Sequence, residues 1–547
     1  MNLSNLKNDS KNKNNTNNIN KDKLKKIFNR FFKPNVFQFI LIWYLIFVFV
    51  GAGLLMAPIS VNWGTVTTQN HYNFMSALFT ATSAFSDTGL VVTPTDTTFK
   101  PFGQVVIFVL IFVGGIGLMV IVLLIYKAFF PKRKLRFNII VLLQSERGSE
   151  TLNETTKLIV AGVIFILIIN LICSLLLMLC FYYIPAYTPI DMGANKIYKD
   201  PYYLGFSHHY ERVYHNWLWS FWNALFDSVS SLDNAGFTLF GESSMSAYRN
   251  GIGIITQFIL MCEWFIGGLG FPVIYEIYKY FKAKRRGLLF KFSLFSKLCL
   301  IGFVSILIIS TCLAYIFAYT GQSHENPYSI VNVKNYDSQG KLNTIYSPWG
   351  IHPMVNKNWA IFWNCASTRS AGFDSYNLNT DSQNSKILYS ILMFIGSSPS
   401  STGGGIRITT FMVVLYSLFA KMKGNEKISF FKKQLGDSTL WDSFLIFLFG
   451  ILLILITSFV VHFTYTGKYD NSLNNYINDI FVVSSAFGTC GLGLGTLTND
   501  LAWGGLLFLI ITMFIGQLGI STAILSVSRK KNKDALYDWP VEEVRVG

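Results

Sequence analysis

Four times in this chain an apolar segment too short to cross a bilayer stops at a glycine. The segments read FSDTGL around Gly89, LDNAGF around Gly236, TRSAGF around Gly372 and FGTCGL around Gly491. Each glycine is followed by Leu or Phe, and each has a Phe ten residues before it: Phe79, Phe226, Phe362 and Phe481. A second marker follows in the same order: Phe112-Val113-Gly114, Phe265-Ile266-Gly267, Phe394-Ile395-Gly396 and Phe514-Ile515-Gly516, at 23, 29, 22 and 23 residues beyond the glycine. Two markers repeated four times in register define an internal repeat. Any fold for this chain has to place four copies of one unit.

The sequence between the markers says what the unit is. Hydrophobic residues make up 51% of the chain and charged residues 14%, the balance of an integral membrane protein. Full-length apolar runs, near the ~20 residues a spanning helix needs, fall at about 37–56, 104–130, 157–184, 252–281, 298–319, 386–420, 445–463 and 501–527. The glycine segments lie between them in pairs. The expected fold is therefore an all-α membrane protein. It has four tandem helix–pore-loop–helix repeats around one pseudo-fourfold pore, with eight transmembrane helices. The repeats fall at 35–136, 137–290, 291–433 and 434–530, flanked by a polar basic tail at 1–34 and a C-terminal tail at 531–547.

The net charge of +16 has a topological reading. PKRKLR (131–136), KAKRR (282–286), the Lys-rich stretch at 421–433 and RKKNK (529–533) all follow closing spans, and the N-terminal tail precedes the first span. These clusters fall on one side of the membrane. The positive-inside rule makes that side cytoplasmic, with both termini inside a plasma membrane and no need for a nucleic-acid partner. The first apolar run follows a long polar tail, so it is expected to stay as an anchor rather than be cleaved. The seven cysteines have no metal-ligand spacing.

Non-helical backbone at membrane depth is tolerated only when it is buried in protein or lines an aqueous cavity. A short helix ending at glycine, repeated four times, implies an ion-selectivity filter whose backbone carbonyls replace water around the ion. Glycine permits the left-handed backbone this needs and leaves no side chain in the path. Pore-helix C-termini aimed at the centre would favour a cation. The candidate filter residues are Asp87, Thr88 and Gly89; Asn234, Ala235 and Gly236; Ser370, Ala371 and Gly372; and Thr489, Cys490 and Gly491, with K+ at the filter carbonyls. Arg369, three residues before the third glycine, reads as a brace rather than an ion ligand, held by acids or carbonyls, with Asp374 or Asp233 as the candidate acids. In the third closing span, GSSPSSTGGGIR cannot form a stable helix interior.

These motifs resemble the Trk/Ktr/HKT superfamily of K+ transporters, over nearly everything from residue 37 to 527. NAGF, the Arg-containing third filter and STGGGI carry the resemblance most specifically. It implies one pore per subunit, a membrane homodimer and a cytoplasmic nucleotide-binding (RCK-type) regulatory ring. There is no covalent cofactor, and nucleotide acts only through the regulatory subunit. It also implies a gate loop at Ser397, Ser398, Pro399, Ser400, Ser401, Thr402, Gly403, Gly404, Gly405 and Arg407, with Gln517 at the position where the family usually has Arg. In this family a Ser at the first filter glycine goes with Na+. With Gly in all four places the resemblance implies K+ uptake by a transporter that is not an enzyme. A Na+ or Na+/K+ symport pathway is the alternative. A membrane enzyme built on His208, His209, Glu211 and His215 is the remote one. Asp227 and Glu263 are ionisable groups at membrane depth, which are functional candidates.

Overall fold

The computed structural model describes residues 36–520, apart from 64–71, 118–119, 121–151, 185–212, 241–244, 246–247, 249–251, 321–333, 337–341, 345–352, 377, 425–427, 431–432, 465–475 and 495–500. Residues 42–520 form one compact unit. In the other unit only the start of the first helix, from residue 36 to 41, is described. Both tails, the clusters PKRKLR and RKKNK, and His208, His209 and Glu211 lie outside the described residues.

Helices dominate. In chain order they are α1 (Val36–Leu55), α2 (Phe74–Phe85), α3 (Pro101–Ile116), α4 (Leu152–Tyr183), α5 (Trp217–Leu232), α6 (Gly253–Leu269) and α7 (Phe271–Arg285). There follow α8 (Leu294–Thr320), α9 (Pro353–Ser367), α10 (Gln383–Phe394), α11 (Ile408–Met422), α12 (Asp437–Phe463), α13 (Tyr476–Gly488) and α14 (Trp503–Leu518). Two short antiparallel hairpins interrupt the helical pattern, Lys334–Tyr336 with Leu342–Thr344 and Ser429–Phe430 with Lys433–Gln434.

Two classes of helix follow from what each buries. α4, α8 and α12 are long and apolar on all sides, and their outer faces stay exposed: Leu171, Ile308 and Leu448 are 62%, 58% and 55% accessible. A helix that leaves large apolar side chains bare is suited to lipid. α2, α5 and α13 are short and rich in Ser and Thr. In α2 every residue from Ser76 to Phe85 is buried. Asn73 caps α2 by accepting the Ser76 amide at 2.9 Å, and Asn216 caps α5 through the Trp219 amide.

The short helices are held between neighbours in a cycle. α3 lies on α5, α6 on α9, α10 on α13, and α14 returns to α2. Each helix of the closing class thus supports the short helix of the next quarter of the chain.

The closing helices differ from the expected continuous spans. α3 stops at Ile116, and Gly117 has φ +90°. α6 stops at Leu269, with Gly270 at φ +80°, and α7 leaves at 100° to it. α14 stops at Leu518, with Gly519 at φ +85°. Each break lies three residues beyond a Phe-X-Gly glycine. At the matching point of the third quarter, α10 gives way to the loop 395–407. Among the described residues three helices are long and apolar enough to cross a membrane alone, or four if α6 and α7 are one bent span.

Candidate functional site

The four glycines meet. Each has a left-handed backbone: φ is +85° at Gly89, +71° at Gly236, +79° at Gly372 and +90° at Gly491. Their neighbours form a closed cycle. A Cβ built on Gly89 would lie 2.4 Å from the Ala235 carbonyl oxygen, and one on Gly236 would lie 3.0 Å from that of Ala371. One on Gly372 would lie 2.3 Å from that of Cys490, and one on Gly491 would lie 2.3 Å from that of Thr88. Every glycine therefore sits against the carbonyl that precedes the next glycine. Any side chain here would collide with backbone, so residue choice at these positions is fixed by contact as well as by φ.

The pore-helix ends explain how the glycines arrive there. In α2 the Thr88 amide bonds the Ser83 carbonyl at 2.9 Å and the Asp87 amide bonds that of Ala84 at 3.4 Å. The same pair recurs as Ala235 to Ser230 with Asn234 to Ser231, and as Cys490 to Ser485 with Thr489 to Ala486. This is a Schellman ending, which requires a left-handed residue just past the helix. That residue is Asp87 (φ +50°), Asn234 (+59°) and Thr489 (+44°), with Ser370 (+63°) at the matching place in the third quarter. For a β-branched residue such as Thr489 the conformation is an outlier. Left-handed or otherwise strained residues cost about 1–3 kcal/mol each and persist where the surroundings over-determine them.

The Phe-X-Gly glycines have a matching task. A Cβ on Gly114 would sit 2.2 Å from the Phe85 carbonyl oxygen, on Gly267 2.0 Å from that of Leu232, and on Gly516 2.0 Å from that of Phe487. The closing helix thus touches the last turn of the short helix, backbone to backbone, in three quarters. In the third, Gly396 instead abuts Gly404 of the loop.

Arg369 is fully buried. It donates to the carbonyl of Ile395 at 2.9 Å and to that of Gly396 at 3.3 Å, with its guanidinium 5.3 Å over the Phe303 ring. Of the acids or carbonyls expected to hold it, these two carbonyls are the hydrogen-bond partners. The carbonyls exposed where α10 ends lack intrahelical donors, and the planar guanidinium satisfies two of them at once. The main-chain oxygen of Asp374 takes the Met245 amide instead.

The loop from 395 to 407 is ordered and enclosed. Gly396 N–H meets the Ile406 carbonyl at 2.9 Å, and Ser397 N–H that of Gly404 at 3.3 Å. Ser398 N–H reaches the Gly268 carbonyl at 3.1 Å, and Gly405 N–H that of Gly516 at 3.2 Å. Pro399 and Ser400 make its tip, with Ser400 at φ +63°. The Ser401 hydroxyl donates to the Ser398 carbonyl at 2.6 Å. Arg407 donates to the Gly403 carbonyl and, at 3.0 Å, to the main-chain oxygen of Gln517. The Gln517 side-chain amide donates to the Phe85 carbonyl at 3.1 Å and to Asp87 Oδ2 at 3.3 Å. Gln517 therefore joins the first filter segment to the loop.

The remaining sequence candidates lie apart from the ring. Glu263 is buried among α4, α5 and α6 and accepts the Ser228 hydroxyl at 2.5 Å, while Asp227 is buried one residue before that serine. His215 lies against the rings of Tyr214 and Tyr182. Among the described residues no group of His, Cys, Asp and Glu is placed to hold a metal ion.

The family model of TrkH, a cation transport protein, matches residues 52–538. The chain belongs to the TrkH family. Several relatives span nearly its whole length. An uncharacterized cation transporter, MG322, of Mycoplasma genitalium is 32% identical, covering 94% of this chain and 97% of its own. Ktr system potassium uptake protein D of Bacillus subtilis is 30% identical, covering 93% and 97%. Potassium/sodium uptake protein NtpJ of Enterococcus hirae is 28% identical, again covering 93% and 97%. The crystal structure of the potassium transporter TrkH from Vibrio parahaemolyticus has the same fold, with a TM-score of 0.59 over 90% of this chain and 84% of that one, at 15% identity. As a TrkH-family member the chain is a membrane-embedded cation transporter and not an enzyme.

Proposed function

We propose that this TrkH-family chain takes up K+ through a filter formed by Gly89, Gly236, Gly372 and Gly491 with the carbonyls that precede them. The observation that carries the reading is the closed cycle of glycine–carbonyl contacts. The short helices α2, α5, α9 and α13 all end within a few residues of it. Each C-terminus carries roughly −0.5 of a charge, about −2 for the four, a field that draws a monovalent cation and repels anions. The four quarters then form a pseudo-fourfold pore with eight membrane crossings. Both termini face the cytoplasm, and the membrane potential drives inward flow at about 2.3 kcal/mol per charge per 100 mV.

Below the ring the loop 395–407 is the gate, braced by Arg369 and tied by Arg407 to Gln517. The plasma membrane is the site of action. A homodimer with a cytoplasmic nucleotide-binding (RCK-type) ring is the assembly, supported by similarity to relatives named as Ktr system proteins. K+ is preferred over Na+ because all four filter positions are glycine. The printed name of NtpJ, potassium/sodium uptake protein, keeps Na+ as the second ion.

The test is uptake in a host lacking its own K+ systems. The wild-type chain restores growth at low K+, and Gly89→Ser shifts flux from K+ toward Na+. A wild type that carries no K+ sinks the proposal. An unaltered Gly89→Ser removes Gly89 from the filter.

A further inference from the structure

The left-handed residues that end the pore helices also face the gate loop and its anchor. The Thr402 hydroxyl donates to Asn234 Oδ1 at 3.0 Å. The Gly404 amide donates to Thr489 Oγ1 at 2.7 Å. A Cβ on Gly403 would lie 2.8 Å from Ser370 Cβ and 3.0 Å from its Oγ, so that backbone rests directly on Ser370. Asp87 accepts from Gln517, whose own carbonyl accepts from Arg407 at the end of the loop. All four residues are 0–1% accessible, and Thr402 is 6% accessible.

The left-handed backbone is what makes this common target possible. The same turn that places each glycine in the ring places the preceding polar side chain on the loop or on Gln517. The four side chains differ, Asp, Asn, Ser and Thr, but each is short and carries an oxygen. An apolar residue in place of Thr489 would leave the Gly404 amide without this acceptor in a buried layer, which is costly, and one in place of Asn234 would leave the Thr402 hydroxyl only the longer contact to the Leu232 carbonyl at 3.5 Å.

We infer that Asn234, Thr489 and, through Gln517, Asp87 are positioning residues that latch the loop 395–407 shut beneath the glycine ring, with Thr402 as the side-chain donor of the latch and Ser370, whose hydroxyl donates to the Gly488 carbonyl, packed against Gly403. The inference rests on the filter-and-gate reading above and deepens it. Selectivity belongs to the glycines and their carbonyls, and the rate of opening belongs to the latch. The conformational step that admits an ion to the cytoplasm must break the Thr402–Asn234 and Gly404–Thr489 bonds together.

The test uses the purified full-length chain in proteoliposomes, with K+ and Na+ flux measured separately. Thr402→Val removes the donor at nearly constant shape. K+ flux is expected to rise about five-fold, or about 1 kcal/mol at 1.36 kcal/mol per tenfold, with the K+/Na+ ratio unchanged. Thr402→Ser, which keeps the hydroxyl, brings the flux back toward the wild-type value. Thr489→Val opens the second bond independently and serves if Thr402→Val does not fold. Its K+ flux should rise too, and hydrogen exchange of the Gly404 amide should quicken. Unchanged or lower K+ flux in these variants, with the wild type active, overturns the latch alone. A changed K+/Na+ ratio in Thr402→Val also overturns it, because the loop would then be part of the selective layer. A wild type without cation flux overturns the filter reading and the latch together.

Discussion

Arg369 is one of the largest fully buried side chains, and two carbonyls accept its guanidinium. Its removal leaves both oxygens without donors. Each unsatisfied buried group costs about 1–3 kcal/mol, so Arg369→Met should lower the thermal unfolding midpoint of the detergent-solubilised protein markedly. Arg369→Lys should recover only part of the loss, because an ammonium lacks the planar fork. The sequence left acids and carbonyls both open, because a buried charge needs partners of either kind. The interruption after Phe394 was visible in GSSPSSTGGGIR, but no local pattern records that the carbonyls it frees lie within reach of the arginine. The four glycines that meet were legible in the sequence for a different reason. Their requirement is local, a left-handed backbone with no room for a side chain, and glycine is the residue that answers it. The left-handed positions before them were hidden. A Schellman ending normally shows Gly or Asn, and Asp87, Ser370 and Thr489 are neither.

At the scale of elements, the Phe-X-Gly motif marks where one helix lies backbone-to-backbone on another. Gly516→Ala would drive a methyl into the Phe487 carbonyl, 2.0 Å away. We expect K+ uptake to fall at least about ten-fold, the equivalent of 1.36 kcal/mol in a rate-limiting barrier, with the protein still inserted in the membrane. Gly53→Ala in α1 meets nothing within 4 Å and should leave uptake unchanged in the same assay. The helix breaks at Gly117, Gly270 and Gly519 escaped the sequence reading because apolar composition continues through each of them. A periodicity argument sees an uninterrupted run where the backbone turns. The loop of the third quarter was visible because Ser, Pro and Gly replace the apolar residues there altogether.

For the whole molecule, charge placement predicts an orientation with the basic clusters on the cytoplasmic side. Lys284 sits in the last turn of α7 beside Arg285 and Arg286. In a Cys312→Ser background, Lys284→Cys should react with a membrane-impermeant thiol reagent from the cytoplasmic side and not from outside. Labelling from outside would invert the topology. The order of elements was legible in the sequence, because markers in register four times leave few alternatives. The cyclic contact of α3 with α5, α6 with α9, α10 with α13 and α14 with α2 was not, since no local pattern records which quarter meets which. That cycle has a bearing on biogenesis. Gln517 reaches Asp87 across 430 residues, so the first filter segment acquires this partner only after almost the whole chain has left the ribosome. A nascent chain stalled before α14 would hold all four ring glycines with its first segment still lacking Gln517. Completion of synthesis and completion of the contacts around the glycine ring are, in this architecture, the same event.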